Sequence, residues 1–169
     1  MLNLTSKTNC DTYKSLSFPT PLLLGLEFFT KPSRLNELEE LEALHEEKAW
    51  DFDLSLTESY LREKSKAVVV TDTSQQIIWT STGFTRMTGY TFCEVYNKKP
   101  SFLQGEQTQS EVRGKIKECL TRGHDFKGSI FNYRKSGQLY SCEVHIMPIY
   151  NGNQELVNFI ALEEERKGA

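Results

Sequence analysis

The last third of the chain carries the pattern that most limits its fold, which is three β-rich runs separated by two short turn signals. The runs cover residues 126–134, 139–149 and 156–162, and the turns are Lys135-Ser136-Gly137 and Asn151-Gly152-Asn153. Glycine and asparagine tolerate the left-handed backbone that tight hairpins need. The sequence therefore predicts three consecutive antiparallel strands joined by hairpins.

A further strand pair lies upstream of these three strands. Residues 67–71 form a compact run rich in β-branched side chains, and residues 76–80 form a second run after a turn at Asp72-Thr73-Ser74. Helical patterns fill the region between, and the clearest spans 111–122 with one apolar face and Gly123 at its end. This order predicts an α+β fold in which a five-stranded antiparallel sheet carries helices on one face.

Residues 1–64 precede the domain predicted over 65–165 and are interpreted as an N-terminal extension. An amphipathic helix is predicted from a cap at Ser33 through about Lys48. Its apolar stripe either covers the domain or forms half of a dimer interface, and it is too short for an independent coiled coil. A second short helix follows before the first strand.

Residues 15–29 contain Pro19 and Pro21, and their part from Pro21 to Phe29 is the most apolar segment of the chain. Exposed, it would favour aggregation, so it is expected to pack on the domain or on a partner. It is shorter than the roughly 20 residues that cross a bilayer, and its polar upstream flank is unlike a signal peptide. The sequence therefore predicts no membrane span and a cytoplasmic location.

Charge and cysteine content exclude two classes of function. The net charge is -3 and no cluster of Lys and Arg is present, so nucleic-acid binding is not expected. No cysteine pair has the CxxC spacing of metal sites, and the sequence also lacks nucleophile, metal-protease and phosphate-loop motifs. We therefore predict no metal, no enzymatic activity and reduced thiols at the four cysteines, Cys10, Cys93, Cys119 and Cys142.

Four ordered motifs give the chain a resemblance to a known family. Residues 72–90 resemble the opening of a PAS domain, and residues 97–105, NKKPSFLQG, resemble the signature of its light-oxygen-voltage (LOV) subfamily. Residues 130–137, IFNYRKSG, and residues 145–162 resemble the hairpin and the last strands of the same subfamily. The resemblance runs from about residue 67 to 163 and leaves the first 65 residues uncovered.

The resemblance implies a pocket between sheet and helices that, in LOV domains, holds a flavin. In those domains blue light joins a cysteine sulfur to the flavin ring. Pro100 stands at the position of that cysteine, and proline has no nucleophile, so no adduct is expected. Cys93 cannot be assumed to substitute, because it lies seven residues earlier on a different turn.

Other positions of the implied flavin site are partly retained. Gln104 and Asn132 match family contacts, and Arg113 can offer a phosphate contact. The second ring-binding asparagine is Cys142 here, and the glutamine that senses flavin protonation is Glu163. The five candidate pocket residues are thus Gln104, Arg113, Asn132, Cys142 and Glu163, and flavin mononucleotide (FMN) is one possible cofactor.

The family's asparagine before the cysteine position is Lys99, and the arginine after it, which grips the flavin phosphate, is Ser101. Losing such a charged donor removes about 1.5–3 kcal/mol of hydrogen bonding. The resemblance alone therefore does not imply that FMN is bound, and the pocket occupant stays unknown.

Each candidate also has a structural interpretation. Asn132 is either a ligand contact or a buried amide satisfied by backbone, and Gln104 can cap the loop after it. Cys142 is predicted on the pocket face of its strand as a small hydrophobe. His145 is predicted on the opposite face, which disfavours haem. For Glu163 the favoured interpretation is exposure at a strand end beside other glutamates.

The leading hypothesis is a stand-alone PAS sensory, signal-transduction or protein-interaction module without adduct photochemistry. No output domain follows the last strand of the sequence, so on the assumption of a complete chain its output passes to a protein partner or to a second copy, through the N-terminal extension or the sheet. A small-molecule ligand in the pocket is possible. The alternative is a flavin-binding redox or light sensor that works without a cysteine adduct.

Overall fold

The computed structural model describes residues 34–166, with side chains described from Glu37 onward. The predictions for the apolar segment over 15–29 and for a cap at Ser33 lie outside these residues. The described part of the extension, helices included, belongs to one compact unit with the β-rich domain.

Five strands form one antiparallel sheet, as predicted. In chain order they are β1 (Lys66–Asp72), β2 (Ile77–Thr80), β3 (Phe126–Tyr133), β4 (Leu139–Tyr150) and β5 (Leu156–Glu165). Their order across the sheet is β2-β1-β5-β4-β3, so the last strand of the chain lies at the centre and pairs with the first. Strands β1–β2, β3–β4 and β4–β5 each form a hairpin, which confirms the three predicted turns.

Within residues 34–166, five α-helices accompany the sheet. They are α1 (Arg34–Glu47), α2 (Ser55–Arg62), α3 (Thr82–Thr88), α4 (Phe92–Val95) and α5 (Ser110–Thr121), and a single 3-10 turn spans Pro100–Leu103. Helix α3 lies so close to β1 that a Cβ atom on Gly83 would lie 2.0 Å from the Lys66 carbonyl oxygen. Glycine is therefore required there by contact, and the helix packs directly on the strand.

Helices α3, α4 and α5 cover the inner face of the sheet. The strand residues of this core alternate along each strand, as in Ala67 and Val69 of β1 and in Tyr140, Cys142 and Val144 of β4. The prediction that these β4 residues share one face is confirmed. The predicted apolar face of α5, which includes Val112 and Ile116, packs against the same core.

Helices α1 and α2 of the N-terminal extension cover the outer face, while the helices of the predicted domain lie on the inner face. Leu41 of α1, Leu61 of α2 and Trp50 between them join a second core with Val68, Val70 and Ile160 of the sheet. This is the covering role proposed for the amphipathic stripe. Because Leu41 is fully buried against the sheet, it is unavailable to a dimer partner.

Hydrogen bonds fix this outer layer to the sheet. The Trp50 indole Nε1 donates to Asn158 Oδ1 at 2.9 Å, and Asn158 Nδ2 donates to the Thr71 carbonyl oxygen at 2.9 Å. In addition, the backbone N–H of Thr82 donates to the buried carboxylate of Glu37. The extension is therefore bonded to both the sheet and the start of α3.

The cysteines of the described residues behave in two ways, and the prediction for Cys10 lies outside these residues. Cys119 and Cys142 are free thiols, in agreement with the prediction. Cys93 is disulfide-bonded, so the prediction of a reduced thiol is wrong for it. The sequence did not reveal this, because the spacing of its cysteines does not match a disulfide framework.

Candidate functional site

A cavity of about 130 Å³ lies between the inner face of the sheet and the 3-10 turn and α5. Its walls are mainly apolar side chains from all of these elements, namely Val69, Leu103, Ile116, Leu120, Ile130, Val144, Ile146, Phe159 and Ala161. Polar residues complete the lining, namely Thr71, Gln75, Lys99, Ser101, Gln104, Asn132, Cys142 and Glu163. A mostly apolar cavity with a few polar groups is the usual form of a small-molecule site.

Four of the five candidate residues line this one cavity. Gln104 follows the 3-10 turn, Asn132 lies on β3, Cys142 on β4 and Glu163 on β5. Arg113 does not line it and is exposed on α5. The resemblance therefore led to four residues that share a cavity, while their role in binding and a phosphate contact from Arg113 stay predictions.

Pro100 lies in the cavity wall, at the first position of the 3-10 turn. Proline suits this position because its fixed φ angle begins such a turn and its missing N–H would have no helical partner. Among the described residues, Cys142 is the only cysteine in the cavity lining. It lies on the opposite wall, on the sheet.

Glu163 is buried, so the favoured interpretation of exposure at a strand end is wrong. Strand β5 continues to Glu165, and Glu163 pairs with Ala67 on one side and Val144 on the other. Only 6% of its surface is exposed. The two neighbouring strands therefore enclose a side chain that the local sequence places among three consecutive glutamates.

Burial changes the acidity of Glu163. The loss of water around the charged form raises the pKa of its carboxyl from 4.5 to about 7. One of its oxygens, Oε2, has no hydrogen-bond partner among the described residues. The inner face thus holds a carboxyl group that ionises near neutral pH and has an unused hydrogen-bonding position.

Neighbouring polar groups on the inner face are also incompletely paired. Within the described part of the chain, Asn132 Oδ1 and the Tyr140 hydroxyl are buried without a hydrogen-bond partner. Burial and the nearby Glu163 raise the pKa of Cys142 well above its usual value. Cys142 therefore stays a protonated thiol at neutral pH. It is a poor nucleophile in that form, because only the thiolate is an effective nucleophile.

An arginine closes the β3–β4 end of this face. The guanidinium of Arg134 donates to Glu165 Oε1 at 2.6 Å and to the Met87 carbonyl oxygen at the end of α3. Its Cζ atom lies 4.6 Å from the centre of the Tyr140 ring. This arginine is paired and is therefore not an open cation for a ligand.

Lys99 was not among the five candidates and is a cavity residue. Among the described residues that line the cavity, it is the only cationic one. It is exposed, as is Ser101 beside it, so the cavity opens to solvent at this turn. In the sequence, Lys99 was considered only as a replacement of the family's asparagine. Its position next to Pro100, in the implied flavin site, was the signal that could have indicated a cavity residue.

The polar groups of the cavity suit a flavin, but its volume does not. The polar groups of Gln104, Asn132 and Glu163 suit the polar edge of such a ring system. However, an apolar cavity of roughly 150 Å³ holds a single benzene ring, and sites for larger ligands measure roughly 300–1,000 Å³. At about 130 Å³ the cavity does not fit a three-ring isoalloxazine without side-chain movement.

Comparison with known proteins places the described fold in context. The family model described as "PAS domain" matches residues 65–165. The chain is 29% identical over 105 residues to a nitrogen fixation regulatory protein of Klebsiella oxytoca, covering 62% of this chain and 21% of that protein. It is 34% identical over 108 residues to a blue-light photoreceptor of Listeria innocua, covering 62% of this chain and 42% of that protein. The chain thus spans less than half the length of these relatives.

Solved structures of LOV domains share the fold. One, from a study of a flavin analogue and the LOV mechanism, has a TM-score of 0.61 and 29% identity, and covers 69% of this chain and 87% of that one. The LOV domain of the photoreceptor Aureochrome1 has a TM-score of 0.59 at 23% identity, covering 66% of this chain and 88% of that one. At the lower identity the likeness concerns the fold alone.

Across residues 34–166, no helix has the length and apolar character that a bilayer crossing requires. Within the same range, no group of His, Cys, Asp and Glu side chains could hold a metal ion. The cytoplasmic location stays a prediction. His145 lies on the outer face, where it pairs with Asp125 at 3.1 Å.

Proposed function

Because the chain belongs to the PAS domain family, and is therefore a sensory signalling module, we propose that it responds to occupation of its cavity and not to a covalent thiol–flavin bond. The observation that carries the proposal is Pro100 in the cavity wall. It occupies the position that the LOV resemblance assigns to the reactive cysteine. Cys142, the cavity's own thiol, is held protonated by burial, which supports the same conclusion.

The proposal assigns the cavity no catalysis. Turnover needs an acid, a base or a nucleophile in mutual contact. Glu163 alone ionises near neutral pH there, and its neighbour Cys142 stays a weakly nucleophilic thiol. We therefore expect binding and signalling without product formation.

Illumination with FMN tests the absence of an adduct. The purified chain is incubated with FMN, and its blue absorption is followed during and after blue illumination. We expect no reversible bleaching of a bound flavin in the original chain. Reversible bleaching that disappears in Cys142→Ala would overturn the proposal.

Pro100→Cys is the matched gain-of-function control. It installs a thiol at the family position and leaves the other cavity residues unchanged. If FMN enters the cavity, this variant alone should bleach reversibly. If it binds FMN and still does not bleach, Pro100 does not mark the reactive position and the argument from it fails.

A second candidate is a flavin sensor that works by reduction without an adduct. It is favoured by Gln104, Asn132 and Glu163, which line one cavity as the resemblance implies. It requires the cavity to widen well beyond about 130 Å³. A yellow protein on purification, or stoichiometric uptake of FMN, would support this candidate, and a colourless chain that takes up no FMN would exclude it.

For the output we propose a protein contact on the outer face of β3 and β4, as a homodimer or with another protein. Helices α1 and α2 already cover the apolar part of the outer face, so the remaining part of the sheet is accessible. Phe131 on β3 is 36% exposed and gives this part of the sheet an accessible apolar side chain. A solution mass measured for the chain and for Phe131→Ser tests a homodimer, and a monomeric original chain would exclude it.

A further inference from the structure

The unpaired carboxyl of Glu163 indicates what kind of molecule the cavity holds. Its Oε2 atom has no hydrogen-bond partner in the described part of the chain, and only 6% of the residue is exposed. A buried polar group without a partner costs free energy unless something that enters the site pairs with it. The cavity that Glu163 lines offers room for such a partner.

The size and walls of the cavity restrict that partner. Its volume of about 130 Å³ is close to the roughly 150 Å³ cavity that accepts benzene. Val69, Val144 and Phe159 are among the side chains that would contact the faces of a ring. A flat molecule of one ring therefore fits the walls, whereas a fused three-ring system exceeds the volume.

The charges around Glu163 decide the polarity of the edge that meets it. Tyr140 and Cys142 on β4 are neutral acids, and Glu165 on β5 is paired with Arg134, which directly follows β3. The paired residue on β1 is Ala67, and the nearest residues of α5 in the lining are apolar. Lys99 lies at the solvent opening. No cation among these described neighbours neutralises the carboxylate, so a cationic donor would gain most there.

Asn132 can serve as a second contact, but it does not determine whether the ligand must present hydrogen-bond donors or acceptors. Its Oδ1 atom is unpaired within the described residues. An amide can turn over and present either its acceptor or its donor edge. An ionised carboxylate has no such freedom, since it only accepts hydrogen bonds.

We propose that the cavity is a binding site for a single-ring molecule that carries N–H or N⁺–H donors, such as an aryl amine or amidine, and that Glu163 recognises these donors. The inference rests on the proposed function, because it names the occupant whose presence the module reports. Unlike the proposed function, the inference specifies the size and polarity of that occupant. Glu163 is thus the specificity-determining residue of the cavity.

Binding of benzamidine to the full chain tests the inference by titration calorimetry. Benzamidine has one ring and an amidinium with several N–H donors, and benzene is the matched probe without donors. We expect benzamidine to bind the original chain at least about tenfold more tightly than Glu163→Gln, since a charge-assisted hydrogen bond is lost. Benzene should bind both chains equally.

Proton release provides a readout that a purely structural role would not move. Below about pH 7 much of Glu163 is protonated, so binding of an amidinium should expel its proton. The measured heat should then depend on the protonation enthalpy of the buffer in the original chain. In Glu163→Gln this dependence should vanish.

Ala161→Leu controls for binding elsewhere, because it fills the cavity with an apolar side chain and leaves Glu163 in place. We expect it to bind neither probe. Benzene binding without a preference for benzamidine would overturn the inference and leave the cavity function standing. Uptake of FMN that benzamidine does not displace would also overturn it. Failure of the original chain to bind benzamidine, benzene or FMN would overturn both.

Discussion

Helices cover both faces of this sheet, but the two coverings leave different features behind. On the outer face, Trp50, Asn158 and Thr71 form a continuous hydrogen-bonded chain inside an apolar layer. On the inner face, Asn132, Tyr140 and Glu163 keep buried polar atoms without partners among the described residues. The outer face is arranged for stability, whereas the inner face keeps volume and polar groups available.

The contrast has one exception. The second carboxylate oxygen of Glu37, in the outer helix α1, is also buried without a partner in the described range. Its first oxygen accepts from the backbone of Thr82, where α3 of the inner layer begins. A carboxylate near a helix N-terminus is favourable, so this contact joins the two layers electrostatically.

The largest expected effect concerns the outer layer. Trp50→Ala should lower the free energy of unfolding by about 3–5 kcal/mol, because a large side chain and the partner of Asn158 are both lost. Urea unfolding measures it. Trp50→Phe is the control and should cost less, since the layer keeps a ring and loses only the N–H. Equal losses would mean that the hydrogen bond, not packing, holds this face.

The next effect concerns the inner face and its pH dependence. The pKa of Glu163 is 4.5 in the unfolded chain and about 7 in the folded chain. This difference corresponds to about 3 kcal/mol in the free energy of unfolding. Because the unfolded chain loses its proton first, this stability is present below about pH 4.5 and is lost progressively as the pH rises to about 7. Above that it stays lost.

Unfolding of the original chain and of Glu163→Gln across this pH range measures the effect. The difference in unfolding free energy between the two chains should change by about 3 kcal/mol, since other titrating groups cancel. A constant difference would show that Glu163 is not desolvated, and the contrast between the faces would then lose its electrostatic part.

A smaller effect concerns the rim of the inner face. Arg134→Ala should lower the free energy of unfolding, measured in urea, by about 1.5–3 kcal/mol. The reason is that charged hydrogen bonds to Glu165 and to the Met87 carbonyl are lost. Arg134→Lys keeps the charge but not the planar fork, so it should restore only part of this. Full recovery in the lysine variant would mean that charge alone, without the fork, closes the rim.

The smallest expected effect concerns an exposed ion pair between Lys135 and Glu94. The hydrogen bond from Lys135, together with weaker contributions from the backbone and side chain of Thr91, lowers the pKa of Glu94 from 4.5 to about 2. In Lys135→Ala this pKa should rise toward 4.5, as followed by NMR titration of the carboxyl. The pair's stabilisation is present above about pH 4.5 and falls away as the pH drops toward 2. An unchanged pKa would mean that Lys135 does not hold Glu94 ionised.

Much of the fold could be predicted because its signals are local. Alternation placed Tyr140, Cys142 and Val144 on one face of β4, and turn residues set the two hairpins. The strand order could not be read in this way. Pairing of β1 with β5 joins residues more than eighty positions apart, and this non-local pairing leaves no pattern in either segment.

The candidate site shows the same division. The resemblance placed Gln104, Asn132, Cys142 and Glu163, which do line one cavity. It did not reveal the burial of Glu163, because a run of three glutamates favours exposure unless neighbouring strands enclose it. It also did not reveal the bond from Glu37 to Thr82, which spans 45 positions.

The amino-acid sequence determined the element types, the hairpins, the family and the presence of proline where a LOV cysteine would stand, since each depends on residues close together in the chain. Packing determined the volume of the cavity, the acidity of Glu163 and the sealing of the outer face by α1 and α2. The reason is physical. Desolvation and volume depend on everything that surrounds a group, and most of what surrounds Glu163 comes from distant parts of the chain.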